Sequence, residues 1–145
     1  MRISIPYAIV TLFAACFVLS CEEPTDTAYN DVRSGLQNHA VVIEKTITDM
    51  SKAEDASQMS AALRPFNASM GDILSMYRNA RTHHPELRNI YRNPPDSLRA
   101  EIARIRELNS TLRDSLLMTA RHSDDAGLRR QVADTISLIN TLEDE

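Results

Sequence analysis

MSAALRPFNASMGDILSMY, residues 59–77, carries apolar side chains at Met59, Leu63, Phe66, Met70, Ile73 and Tyr77, spaced 4, 3, 4, 3 and 4. An α-helix turns once every 3.6 residues, so this alternation stacks all six on one narrow face. That is the pattern of a helix packed along nearly antiparallel neighbours. Pro65 lies inside the run and removes one backbone donor, which predicts a kink between Ala61 and Pro65 that wraps the helix around its core.

Three further segments repeat the period. Val32, Leu36, Ile43, Ile47 and Met50 share a face, with His39 or Ala40 filling the gap after Leu36. Leu98, Ile102, Ile105, Leu108, Leu112 and Leu116 line a second, from about residue 95 to 122, with Arg99, Arg104, Arg106 and Arg113 mostly off it. Leu128, Val132, Ile136, Ile139 and Leu142 line a third. The punctuation fits helices: Asp55 has Gln58 three residues on, similar in kind to a capping box. Asn93 before Pro94 and Pro95 reads as a cap followed by proline at the first helical position. Ser123 reads as the cap of the last helix, with Asp124 and Asp125 in its first turn.

Short turns at residues 54–58 and 123–125 predict two antiparallel hairpins. The longer link, residues 82–95, has proline breaks, and its Leu87, Ile90 and Tyr91 are expected to lid one end. Three glycines, no Trp and only seven other aromatics disfavour an all-β fold. The reading is all-α, an antiparallel up-down four-helix bundle over residues 29–145 with a kinked second helix.

Upstream, Arg2 precedes an apolar run from Ile3 to Leu19 that ends at Cys21, the layout of a secretory signal peptide. Val18, three residues before Cys21, and Ser20, just before it, resemble the lipobox of bacterial lipoproteins. The resemblance implies a signal peptide over residues 1–20, cleavage after Ser20 by signal peptidase II, and lipidation of Cys21 on its sulfur and new amine. The alternative is an uncleaved membrane helix, since the run is just long enough to span a bilayer; Pro6 and the boundary cysteine argue against it. If Cys16 leaves with the signal peptide and Cys21 carries lipid, the mature chain has no thiol, which removes disulfides, thiolate metal sites and cysteine nucleophiles together. Cys21 and the acidic, apolar-poor residues 22–28 then form an anchor and tether. Glu22 is not the aspartate of the inner-membrane retention signal, so the resemblance implies a cell-envelope protein of the outer membrane, facing the periplasm or the cell surface. Glu22 and Glu23 also resemble the acidic surface-export signal of Bacteroidota lipoproteins.

Charge is uneven: residues 22–63 hold 8 acids and 3 bases, residues 64–113 hold 5 and 9, and residues 114–145 hold 7 and 3. The pattern predicts that the basic second and third helices face the acidic first and fourth. A net-acidic exported chain is no partner for nucleic acid.

The side chains able to bind something are His39, His83, His84, His122 and the methionines. Met118 and His122 are four apart on one helix face, a soft sulfur and an imidazole of the kind that copper or haem iron accepts. His83 and His84 are adjacent and diverge unless the chain folds back. Neither a Gly-x-Ser-x-Gly elbow, a His-Glu-x-x-His pair nor a glycine-rich phosphate loop is present, and no enzyme is expected.

Residues 41–70, VVIEKTITDMSKAEDASQMSAALRPFNASM, resemble the first hairpin of small exported helical proteins, the soluble periplasmic b-type cytochrome bundle among them. That family holds haem between a Met early in its first helix and a His late in its last. Here residues 27–36 contain no Met and residues 128–145 no His, so the resemblance implies the fold without haem or another cofactor. The expected role is a lipid-anchored structural or interaction module, held to the membrane by its acyl chains, with an envelope protein as partner or with a second copy joined through an exposed strip of Val42, Leu74, Leu117 and Leu138. The alternative is a metal-binding or stress-sensing bundle that uses His83, His84, Met118 or His122.

Overall fold

A computed structural model describes residues 29–144; the expected signal peptide, Cys16, the expected cleavage after Ser20 and lipidation of Cys21, and the expected tether lie outside the described residues. Four helices account for most of the described chain: α1 (Asn30–Lys52), α2 (Ala56–His83), α3 (Arg99–His122) and α4 (Ala126–Asp144). No strand occurs among the described residues, and none of their helices is long and apolar enough to cross a membrane.

The start of α2 is built as its sequence suggests. Asp55 accepts from the Gln58 backbone N–H at 2.7 Å, and the Gln58 side chain accepts from the Glu54 backbone N–H at 3.0 Å. The reciprocal bond lands one residue earlier than in a capping box, with the same effect of pairing donors that a helix start leaves open. Two other starts differ from expectation. Asp125, not Ser123, caps α4, accepting from the Leu128 backbone N–H at 2.6 Å, and both Asp124 and Asp125 precede the helix. Ser123 instead accepts from the Asp125 backbone N–H, holding the turn in shape. Asn93 does not cap α3: the two prolines lead into a short 3-10 turn, Asp96–Leu98, before α3 begins at Arg99.

Pro65 sits inside α2, which continues through it without interruption. Both Pro65 and Ala61 are exposed, so the carbonyl that the proline leaves without a donor belongs to a residue at the water-facing surface.

The ends show how the helices run. Tyr29 donates to Glu86 at 2.8 Å, and Arg33 reaches Glu101 at 3.0 Å and the Ser97 carbonyl at 2.7 Å, which puts the start of α1, the end of α2 and the start of α3 at one end. The turns after α1 and α3 meet at the other, where Ala53 to Ala56 share a cavity with Met118 and His122. Each hairpin is therefore antiparallel. Across the hairpins, α1 lies on α3 and α2 lies on α4, and these neighbours run parallel. This differs from the expected bundle, in which every helix lies against antiparallel neighbours. The cause is the link between hairpins: α2 and α3 sit across a diagonal, and the stretch between them must pass over the end of the core. The passage explains its length and its apolar residues. A 3-10 turn, Pro85–Asn89, and the turn that follows it bury Leu87, Ile90 and Tyr91 as a lid, and the Tyr91 hydroxyl lies 2.8 Å from that of Tyr77. Burial holds both phenols protonated well above the usual tyrosine range.

The α2 seam is buried from Leu63 to Tyr77, with Met59 half-buried. In the other helices the core admits polar residues that stand beside expected apolar ones. Thr46, Asn109 and Thr135 are buried, while Ile47, Leu108 and Ile136 are half-buried. Charges pair across helices, Arg104 of α3 with Glu44 of α1 at 2.6 Å and Arg113 of α3 with Glu143 of α4 at 2.8 Å, although α1 itself holds three acids and three bases.

Candidate functional site

The four side chains expected to bind metal fall into two pairs at opposite ends of the bundle. At the end where α1 begins, His83 and His84 close α2. The His83 Nδ1 lies 3.0 Å from the Asn79 carbonyl, which is satisfied when that nitrogen carries the proton and Nε2 keeps the lone pair. His84 turns the other way, edge-on to Tyr29 at 5.2 Å between ring centres and 3.4 Å from the Glu86 carboxylate. Both border a cavity of about 310 Å³ that also touches Asp31 and Met76.

At the other end, Met118 and His122 are both exposed on the last turns of α3. The His122 Nδ1 lies 2.8 Å from the Met118 carbonyl, again favouring a free Nε2. A cavity of about 420 Å³ gathers Met118 and His122 with Met59, a methionine whose place in the α2 seam pointed to the core. Among the described residues no three of His, Cys, Asp and Glu stand together as a metal cluster.

A third place lies midway along the molecule, between α1 and α2. His39 faces the core, 6.2 Å from Phe66 between ring centres, and is 1% exposed. Neither of its ring nitrogens has a hydrogen-bond partner. Burial pushes its pKa down to about 4, so the imidazole is neutral at physiological pH. His39 is among the residues lining a groove of about 240 Å³ with mostly apolar walls, but neither ring nitrogen is exposed to it. In the sequence His39 was a filler between Leu36 and Ile43; its lack of any partner is a tertiary fact, and one helical spacing carries no signal of it.

Of the residues expected to join two copies, Val42, Leu74 and Leu138 are half-buried against the core, and Leu117 is exposed. Val41 and Met118 add further exposed apolar surface.

No protein-family model matches the chain, and neither curated proteins nor solved structures gave a match. The reading of function rests on the residues themselves.

Proposed function

We propose that the chain is a lipid-anchored cell-envelope protein whose up-down four-helix bundle serves as a non-enzymatic structural or interaction module. One observation carries the reading: the apolar run that ends on Val18, Leu19, Ser20 and Cys21, followed at once by the acidic residues 22–28. The bundle supports it by its ends. α1 begins where the tether would arrive, so the two hairpin turns form the end remote from the anchor. That remote end, with Met59, Met118 and His122, is the surface offered to an envelope partner or a second copy. The test is intact-mass analysis of the protein extracted from bacterial membranes, with and without an inhibitor of signal peptidase II. The reading expects a mature species beginning at acylated Cys21 and an uncut precursor under the inhibitor. An unmodified Cys21 on an uncut chain sinks it.

A second reading, metal binding or stress sensing in the envelope, is favoured by the shared cavity of Met59, Met118 and His122, two thioethers and an imidazole of the kind that soft copper(I) selects. Titration of the protein with copper(I) and zinc tests it. Binding no tighter than tens of micromolar removes it, since physiological sites are far tighter.

A further inference from the structure

The two ends of the bundle differ in charge. At the end formed by the hairpin turns, residues 52–56 and 121–125 hold four acids and two bases. At the other end, residues 78–99 hold five arginines and two acids, and both acids are engaged: Glu86 accepts from Tyr29, and Asp96 pairs with Arg99. Asp31 and Asp144 lie exposed at this end as well. Helix dipoles add little to the difference, because two helices begin and two end here.

The link between α2 and α3 decides where the arginines stand. It buries Leu87, Ile90 and Tyr91 over the end of the core, which leaves the residues between and after them on its outer side. Arg88 and Arg92 are there, both exposed, and neither has an ion-pair partner among the described residues. Beside them, Arg78, Arg81 and Arg88 edge a broad groove of about 720 Å³ that also touches Asp144.

The chain enters at this same end. Tyr29 leads into α1 beside Glu86, and the seven residues 22–28 span at most about 25 Å. Whatever holds the N-terminus at a bilayer therefore keeps the arginine end within that distance of the headgroups. Guanidinium groups pair with phosphate oxygens two bonds at a time, and each base close to an anionic surface strengthens binding about fivefold. The attraction fades over a Debye length of about 8–10 Å, so it orients a domain already tethered rather than capturing a free one.

We propose that the outer face of the link, Arg88 and Arg92 with Arg78 and Arg81 beside them, docks on the phosphate groups of an anionic bilayer and stands the bundle upright, its acidic hairpin end farthest from the membrane. This rests on the reading that residues 1–21 hold the chain at a membrane; an uncut helix there would serve as well as acyl chains.

The experiment reconstitutes the full protein, extracted from bacterial membranes, into vesicles of phosphatidylcholine with and without about 30% phosphatidylglycerol, and into neutral detergent. Arginines are labelled with phenylglyoxal and each site is read by peptide mass. On the anionic vesicles labelling of Arg88 and Arg92 should slow about tenfold or more, and about 0.5 M salt should restore it. Arg121, Arg129 and Arg130, exposed at the hairpin end, should change less than about twofold. Arg92→Gln, on the surface and harmless to the core, should lower the docked-to-free ratio read at Arg88 about fivefold. Equal rates on the two kinds of vesicle overturn the proposal, and so does equal protection at the hairpin end. Protection already present in detergent and lost in salt also overturns it, giving the arginines to the chain's own acidic residues 22–28. Intact mass of the same sample keeps the two readings apart: an acylated chain without the pattern sinks this proposal alone, and an uncut, unmodified chain with the pattern sinks only the lipid anchor.

Discussion

Adjacent residues of α2 meet their neighbours under opposite conditions. Asn67 accepts from buried Thr135 of α4 at 3.0 Å, and two turns earlier in α2 Ser60 and Gln131 exchange two hydrogen bonds, at 2.6 and 3.1 Å. Phe66, beside Asn67, faces His39 of α1, whose nitrogens are unpaired. The α2/α4 contact thus spends its buried polar groups on holding two helices in register, and the α1/α2 contact leaves one without a structural task. Buried polarity that is satisfied specifies a fold; buried polarity that is not marks a place where the fold gives up stability.

The comparison breaks most sharply at Phe66. Phe66→Ala should cost about 3–5 kcal/mol in denaturant unfolding, because the side chain is fully buried. It should also open a route for water to His39, so the pH response described next should shrink with it. In the native chain His39 is held neutral with its pKa near 4, whereas unfolded it titrates near 6.5. The unfolded state therefore takes up the proton first. The His39 contribution leaves stability whole above about pH 6.5 and lowers it as pH falls, by about 3 kcal/mol once pH reaches 4. Denaturant midpoints at about pH 7.5 and 4.5 measure this, with His39→Leu as the variant in which that part of the loss is missing.

At neutral pH, His39→Leu should stabilise the protein by about 1–2 kcal/mol, since it removes two unpaired polar atoms from the core. A destabilised variant would mean that His39 has a partner in solution. Smallest is the α2/α4 contact: a double-mutant cycle of Ser60→Ala and Gln131→Ala should give a coupling of about 0.5–1 kcal/mol. A coupling of zero would erase the contrast between the two seams.

Much of the fold was legible. The 4-3-4-3-4 run fixed α2 because every seam position in it is apolar. In the other three helices the apolar stripe misled by one residue: Thr46, Asn109 and Thr135 occupy seam positions assigned to Ile47, Leu108 and Ile136. Each residue turns a helix by 100°, so the neighbour of a seam residue is still partly buried, and hydrophobicity alone picks the greasier of the two. What decided otherwise was hydrogen bonding, within the turn for Thr46 and across helices for Thr135 and for the Asn109 side-chain N–H, although the Asn109 Oδ1 has no partner. Lateral order was not legible either. Amphipathicity says that a face is covered and is silent on which helix covers it, so the parallel pairs α1/α3 and α2/α4 could not be read. Of the candidate site residues, all the histidines and methionines stood out by type, but the grouping of Met59 with Met118 and His122, and the unpartnered state of His39, came only from what the fold brought beside them.

The bonds at the start of α1 have a mechanical side. Tyr29 to Glu86 and Arg33 to Glu101 and Ser97 tie the first turn of α1 to the link after α2 and to the start of α3. A load applied at the N-terminal end of the described chain meets these bonds in the first turn of α1, together with the buried Tyr29 and Val32 side chains. They act as a cleat, spreading tension over three segments, and cutting Tyr29 or Arg33 should let α1 peel from its end under forces that the intact bundle bears.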